Sequence, residues 1–353
     1  MIELDGNYGE SGGQIVRTAL ALSTITQKPF EVTNIRKGRP KPGLKAQHLF
    51  CVKALEELCN AKVGYAELGS TKLRYLPEKI KGKTISIDIG TAGSITLLLQ
   101  SLLIPSLFAK TRLKITGGTD VSWSPQFDYF NNVILPQLRK YADIECSLLK
   151  RGYYPKGNGK VDIKIKPKFT LETINEAPSI DLTEQHDLMQ IKGVSHASTD
   201  LQNANVAERQ AKAAKLFLNK LNCPIHIQTQ YQDTLSTGSG ITLWAIFSKD
   251  TEDIDFNNPI RLGADVLGEK SKRAEDVGKE AAENLLKEID SKAPVDSHLA
   301  DSLIPFLALF GGKIKVSSIT DHTLTNIYVC EQFLDKKFKI DKENNIIEAK
   351  IYK

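Results

Sequence analysis

The chain's 353 residues, 41% hydrophobic and 25% charged, suit about two globular domains and exclude collagenous, low-complexity and disordered classes. Lysine and arginine outnumber aspartate and glutamate by 47 to 42, a net charge of +5 that does not by itself establish a nucleic-acid partner, so the placement of charge carries more information. Cys51, Cys59, Cys146, Cys223 and Cys330 form no CxxC pair, and no apolar run approaches the ~20 residues of a membrane span; the expectation is a soluble, cytoplasmic protein with no disulfide framework, zinc ribbon or membrane partner.

Apolar periodicity and alternation predict an order of elements that recurs along the chain. The first copy has a strand at 2–5, a glycine-opened helix at 12–26, a strand at 30–36, a helix at 43–60 and strands near 62–67 and 71–76. The second has a strand at 84–89, helix 93–109, strand 112–116, helix 126–141 and strands near 143–149 and 160–166. A third copy has helix 298–310, strand 313–318, helix 322–334 and strands near 336–340 and 345–351, but no evident first half. In its place come strand 188–195, helix 201–221, strands 224–231, 239–247 and 259–266, and helix 271–290, joined in part by STGSG and KDTEDIDFNNP.

That set is complete enough for a small domain of its own. The expected fold class is α/β (α+β): three βαβαββ-type repeats in a large domain, 1–180 and 292–353, with an inserted small α/β domain at 181–291. One large mixed sheet is the plainer alternative. Each copy places a strand-to-helix loop at the same point (KGRPK, GTDVSWS and ITD). In α/β sheets ligands bind beyond the carboxyl ends of strands, often at helix N-termini, so these loops are expected to converge.

Four segments carry residue types suited to chemistry. In the glycine turn at 9–14, backbone amides suit a phosphate and Glu10 offers a hard oxygen to a divalent cation; the plain reading is a tight turn with a solvated glutamate. The loop at 34–48 holds Arg36, Lys37, Arg39, Lys41 and Lys45, followed by Gln47 and His48. Framed by proline and glycine, it reads either as a phosphate or RNA-backbone site or as a solvated basic loop. In the segment 117–130, Trp123, Phe127, Tyr129 and Phe130 suit the wall of a base pocket or the core. His322 opens a predicted helix, where a neutral imidazole can act as nucleophile and free amides favour an incoming phosphate; a histidine of no catalytic consequence is the plain reading. His298 has no distinguishing context of its own, and no HExxH or Cys/His spacing indicates zinc.

Taken together, GESGGQIVR, NIRKGRPKPGLKAQHL, GTAGSITLLLQSLL, GGTDVSWSP, GYYPKGNG and DHTLTN resemble the RNA 3'-terminal phosphate cyclase family nearly end to end. The resemblance implies an ATP-dependent conversion of an RNA 3'-phosphate to a 2',3'-cyclic phosphate, through a covalent histidyl–AMP and an RNA 3'-phosphate–5'-AMP anhydride. It implies His322 as nucleophile and Glu10 as ligand of a divalent metal, Mg²⁺ or Mn²⁺. It places Gln100, Pro125, Tyr129 and the run His298, Leu299, Ala300, Asp301 and Ser302 around ATP. Arg17, Arg36, Arg39, Gln47 and His48 fall around phosphates and the RNA terminus. Ser11 stands where the family often has glycine, His298 where it has tyrosine and Tyr129 where it has phenylalanine. Two other readings stay open: a non-catalytic, cyclase-like RNA-binding protein of ribosome assembly, a branch that resembles this family without the histidine, and an enolpyruvyl transferase built from similar repeats. The presence of His322 favours the enzyme.

Overall fold

The computed structural model describes residues 1–10, 12–250 and 260–350. Ser11, residues 251–259 of the second linker and start of one predicted strand, and residue 351 at the end of another lie outside the described residues.

The first unit runs β1 (Ile2–Asp5), α1 (Gln14–Thr26), β2 (Phe30–Thr33), α2 (Ala46–Cys59), β3 (Lys62–Gly64) and β4 (Leu73–Leu76). Its sheet has the order β1-β2-β4-β3, with β1 and β2 parallel and the other pairs antiparallel. The second unit runs β5 (Thr84–Asp88), α3 (Ile95–Ser106), β6 (Thr111–Gly117), α4 (Phe127–Tyr129), a π turn (Phe130–Ile134), α5 (Leu135–Leu138), β7 (Ala142–Lys150) and β8 (Gly159–Pro167). Its order, β5-β6-β8-β7, repeats the same pairing pattern.

The strand absent from the sequence reading of the third copy is β9 (Ile180–Leu182), which pairs parallel with β14 (Gly312–Lys315). Between the two lie β10 (Asp187–Ser198), α6 (Val206–Leu218), β11 (Ile225–Gln232), β12 (Ser239–Ser248), β13 (Ile260–Leu267), α7 (Ala274–Asp290) and α8 (Ser297–Phe310). After β14 come α9 (Asp321–Phe333), β15 (Phe338–Asp341) and β16 (Ile346–Ala349), giving the order β9-β14-β16-β15. Strands β10 to β13 make a fourth sheet of their own, β11-β10-β12-β13, against which α6 and α7 pack.

Helices α1, α3 and α8 are apolar on nearly every side, as QIVRTALALSTIT, ITLLLQSLLIPS and SHLADSLIPFLALF require of helices enclosed by neighbours. Accordingly α1 packs on α3 and α9, and α8 packs on α9. Two predicted elements end or break where the backbone turns left-handed. Strand β2 stops at Thr33 because Asn34 and Arg36 take φ of 53° and 54°. The helix expected over 201–221 is interrupted at Asn205, φ 52°, between a 3-10 turn and α6. No helix among the described residues is long and apolar enough to cross a membrane.

Candidate active site

The first turns of α1, α2 and α9 meet one another and the second turn of α8, and the side chains that join them define a cleft. Thr320 caps α9, its hydroxyl accepting from the Thr323 amide. Both Thr320 and Thr323 hydroxyls donate to Asp301 Oδ1 on α8, each at 2.6 Å. Asn326 donates to the Asp301 carbonyl at 2.7 Å and accepts from Thr18 of α1 at 2.7 Å. Burial pushes the Asp301 carboxyl above its ordinary value, against the two hydroxyl hydrogen bonds. Asp301 therefore fixes the turn on which His322 is carried.

His322 stands in that first turn with its side chain 44% exposed, and its Nε2 lies 3.0 Å from Glu10 Oε2. The same oxygen is 3.5 Å from an Arg39 nitrogen. Gln14 at the start of α1 reaches the His322 carbonyl at 3.4 Å. A nucleophile candidate, a carboxylate and a cation from three separate chain segments thus share one corner.

Beside it lies a set of donors without acceptors among the described residues. His48, 1% exposed, accepts the Lys45 amide at Nδ1, so Nε2 carries the proton; that nitrogen is buried and unpartnered. Burial first, then Arg17, Arg36 and Lys45, push its pKa down to about 3. A Cβ at residue 13 would lie 2.0 Å from His48 Nε2, so only glycine fits there. Arg17, on the first turn of α1, likewise has a buried Nε without a partner, and α1 has no side-chain cap. Helix amides, a guanidinium and an imidazole N–H without acceptors are what an anion requires. Arg36 partly serves its own loop, donating to the carbonyls of Lys41 and Gly43 at 2.7 and 3.3 Å. Gln47 lies one residue inside α2, half-buried.

The far side of the cleft is lined by Gln100, Ser302 and Asp301 together with Gln14, Arg17 and Asn326. Pro125 lies outside that lining; its carbonyl accepts at 2.8 Å from Thr96, one turn of α3 before Gln100. Other residues assigned from the sequence lie deeper. Leu299 and Ala300 are fully buried in the core face of α8. Tyr129 is also fully buried, its hydroxyl donating to Asp296 Oδ1 at 2.5 Å, and His298 meets its ring edge-on. His298 opens instead onto a polar cavity of about 190 Å³ shared with Asp265, Asn284, Lys287 and Glu288.

Sequence reasoning missed Asp296 and Asp265. Asp296 caps α8, accepts from the Gly263 amide at 2.9 Å, and is pushed up to about 6 by burial. Its place before a helix was a legible cap signal. Asp265 accepts the Gln126 amide at 2.7 Å and is raised by burial; nothing in its strand pattern marks it.

A second ionisable cluster lies where the fourth sheet meets the second unit. Arg151 is 1% exposed and donates to Asp128 at 2.6 Å and to Asp120 at 3.2 Å, with His196 at 3.5 Å from Asp120. Asp120, Asp128 and His196 are close enough to hold a metal, but the guanidinium already occupies the space between the carboxylates. Glu10 is a single hard carboxylate on the open cleft, a group of the kind Mg²⁺ takes alongside phosphate oxygens.

Fold and cleft together define a class: an α/β protein of repeated sheet units whose polar groups gather where its helices begin. The family model described as RNA 3'-terminal phosphate cyclase matches residues 8–340. Proteins named RNA 3'-terminal phosphate cyclase are 50% identical in Pyrococcus furiosus over 343 residues, 96% of this chain and 95% of that one. In Pyrococcus abyssi the identity is 47% over 346 residues, 97% and 96%, and in Saccharolobus solfataricus 45% over 358, the whole of both chains. The chain belongs to the RNA 3'-terminal phosphate cyclase family.

Proposed function

We propose that this protein uses ATP to convert an RNA 3'-terminal phosphate to a 2',3'-cyclic phosphate, with His322 as the nucleophile. The observation that carries the reading is His322 in the first turn of α9, against Glu10 and Arg39 and beside the unpartnered donors of Arg17 and His48. In the first step an imidazole nitrogen forms a P–N bond to the α-phosphorus and pyrophosphate leaves with the electrons of the broken P–O bond. In the second, an oxygen of the RNA 3'-phosphate attacks that phosphorus and the imidazole leaves. In the third, the vicinal 2'-oxygen attacks the terminal phosphorus, its proton passes to the medium or a base, and AMP departs. Adenylylation thus turns a poor leaving oxide into a good one.

Asp301, through Thr320 and Thr323, holds the His322 turn in place for the first two steps. Arg17, His48 and the α1 amides hold phosphate oxygens and stabilise the charge that develops on them. A divalent cation at Glu10, Mg²⁺ or Mn²⁺, would neutralise ATP phosphate charge. We read 1–182 and 292–353 as the catalytic repeats, one strand longer than the sequence boundary because of β9, and the stretch between as the insert, in a cytoplasmic enzyme.

The test is incubation with α-labelled ATP. Label is expected to survive denaturation, to be acid-labile and hydroxylamine-sensitive, and to be absent from His322→Ala. Label retained by that variant would move the nucleophile elsewhere.

A further inference from the structure

Two aromatic side chains lie in solvent, one on the loop from β6 to α4 and one on the loop from β7 to β8, and none of the three chemical steps uses either. Trp123 is 98% exposed and Tyr154 75% exposed, and neither ring has a partner among the described residues. Trp123 also holds a left-handed backbone, φ 66°. That region is uncommon for a bulky side chain and strained.

The loops that present them are firmly held. In the first, the Ser124 hydroxyl donates to the Val121 carbonyl at 2.9 Å, and the Pro125 carbonyl and Gln126 amide are tied to Thr96 and Asp265. In the second, the Gly157 amide donates to the Tyr153 carbonyl and the Lys156 amide to Ser236. The two are cross-linked by the bridge Asp120–Tyr153 and by the Thr119 amide on the Gly152 carbonyl. Rigid loops with one bare ring each are unlike a greasy docking patch, which would be continuous. Their charge points the same way: Lys156 and Lys160 are exposed, and the one carboxylate over 117–126 and 150–160, Asp120, is buried.

We propose that Trp123, with Tyr154 as a lesser second ring, is a stacking platform for bases of single-stranded RNA just upstream of the reacting 3' end. The proposal rests on the reading of the cleft as an RNA-end site. Every base offers a π face, so such a platform accepts any sequence, and neighbouring lysines track the phosphates. Trp123 lies two residues before Pro125, whose carbonyl is held by Thr96, one turn of α3 before Gln100 on the cleft wall, and the proposed path of a chain with its terminal phosphate at Arg17 and His48 leaves by that side. The contact would add affinity for an oligonucleotide over a lone nucleotide.

The chain has two tryptophans, and Trp244 is buried at 6% exposure, so Trp123 is its own reporter. A 3'-phosphorylated oligoribonucleotide, added without ATP, is expected to quench the exposed emission and shield it from acrylamide. Trp123→Ala is expected to raise the Kd and KM for that oligonucleotide about tenfold. Its kcat, its labelling by ATP alone and its use of a single nucleoside 3'-phosphate should stay near wild type. Trp123→Phe should keep most of the affinity, and Tyr154→Ala should lose less than Trp123→Ala.

Unchanged oligonucleotide affinity in Trp123→Ala, or an equal loss with the single nucleotide, would overturn the platform; so would quenching no stronger than by an unrelated acidic protein. A wild-type protein that binds and quenches with RNA yet makes no cyclic phosphate would sink the catalytic reading and leave the platform standing.

Discussion

The cleft and the junction beneath the fourth sheet are assembled from the same kinds of residue, and they have opposite characters. At the junction Arg151 lies between two carboxylates. His196 accepts from the Tyr153 hydroxyl at 2.8 Å and meets Gln126 Oε1 at 2.9 Å, so both ring nitrogens are engaged. Gly238 and Gly240 fit against Tyr153 and Gln126, where a Cβ would come within 2.2 and 2.5 Å. Arg151 Nε and Gln126 Nε2 are bare at the junction just as Arg17 Nε and His48 Nε2 are in the cleft; what sets the cleft apart is that half-buried Arg17 and buried His48 pair with no carboxylate among the described residues. Buried charge that is matched locks two parts of a chain together. Buried donors left unmatched cost stability and are retained where a ligand supplies the missing acceptor.

The largest contrast comes from removing one residue at each place. His322→Ala should abolish retained label and cyclic phosphate altogether, while its unfolding midpoint in denaturant stays put, because a half-exposed side chain contributes within about 0.5 kcal/mol. Arg151→Met should do the reverse. It strands Asp120 and Asp128 in the interior, with an expected loss of about 3–5 kcal/mol, yet the folded fraction should still take label. Adding Asp120→Asn and Asp128→Asn should recover part of that stability. Arg151→Met at wild-type stability would mean that the junction is not a lock.

Arg17→Met sharpens the comparison from the other side. The variant removes an enclosed guanidinium whose charge burial disfavours, so stability should be unchanged or higher by about 1 kcal/mol. RNA ending in a 3'-phosphate should bind at least about tenfold more weakly, with a salt slope shallower by about one phosphate. Arginine replacements at the two clusters should therefore move stability in opposite directions. A destabilised Arg17→Met protein would make Arg17 a packing residue.

How much of this was readable in advance differs from element to element. The helices and most strands follow from periodicity, and the glycine turn, basic loop and DHTLTN segment stood out by residue type. Strand β9 did not, because a three-residue strand just after Pro178 has no periodicity, and its partner β14 lies 132 residues on. The π turn at Phe130–Ile134 left no pattern in the apolar spacing, whereas the break at Asn205 falls on a residue type that takes the left-handed region readily and was overlooked. Within the site, sequence order identified which residues were interesting but not their partners. Tyr129, read as pocket wall or core from its spacing and placed near ATP only by the resemblance, is in the core and locked on Asp296, while Asp301, also placed beside ATP by the resemblance, spends one carboxylate oxygen on the cap of α9. Hydrogen-bond partners are a property of the fold, and local patterns do not encode them.

The smallest predicted effect is one of pH, and it distinguishes the two histidines by their surroundings. Burial is the main cause at both His48 and His196, and each is pushed down to about 3. The groups facing His48 are Arg17, Arg36 and Lys45, all cationic; those facing His196 are Arg151 and, acting the other way, Asp120. A histidine with lowered pKa binds fewer protons folded than unfolded, so its contribution to stability is complete above its unfolded pKa and is lost as pH falls below about 6.5. Each should add about 1.4 kcal/mol per pH unit to the acid slope once the unfolded imidazole is protonated. His48→Gln and His196→Gln should each flatten the slope of denaturant stability between pH 6 and 5 by that amount, a difference that cancels the carboxylates common to all three proteins. A phosphate in the cleft supplies the acceptor that His48 lacks and favours its imidazolium, whereas His196 is sealed from it. Inorganic phosphate should therefore flatten the acid slope of wild type and of His196→Gln, and leave that of His48→Gln unchanged. Equal flattening in all three proteins would mean that phosphate acts elsewhere, and that the unmatched donors of Arg17 and His48 do not form its seat.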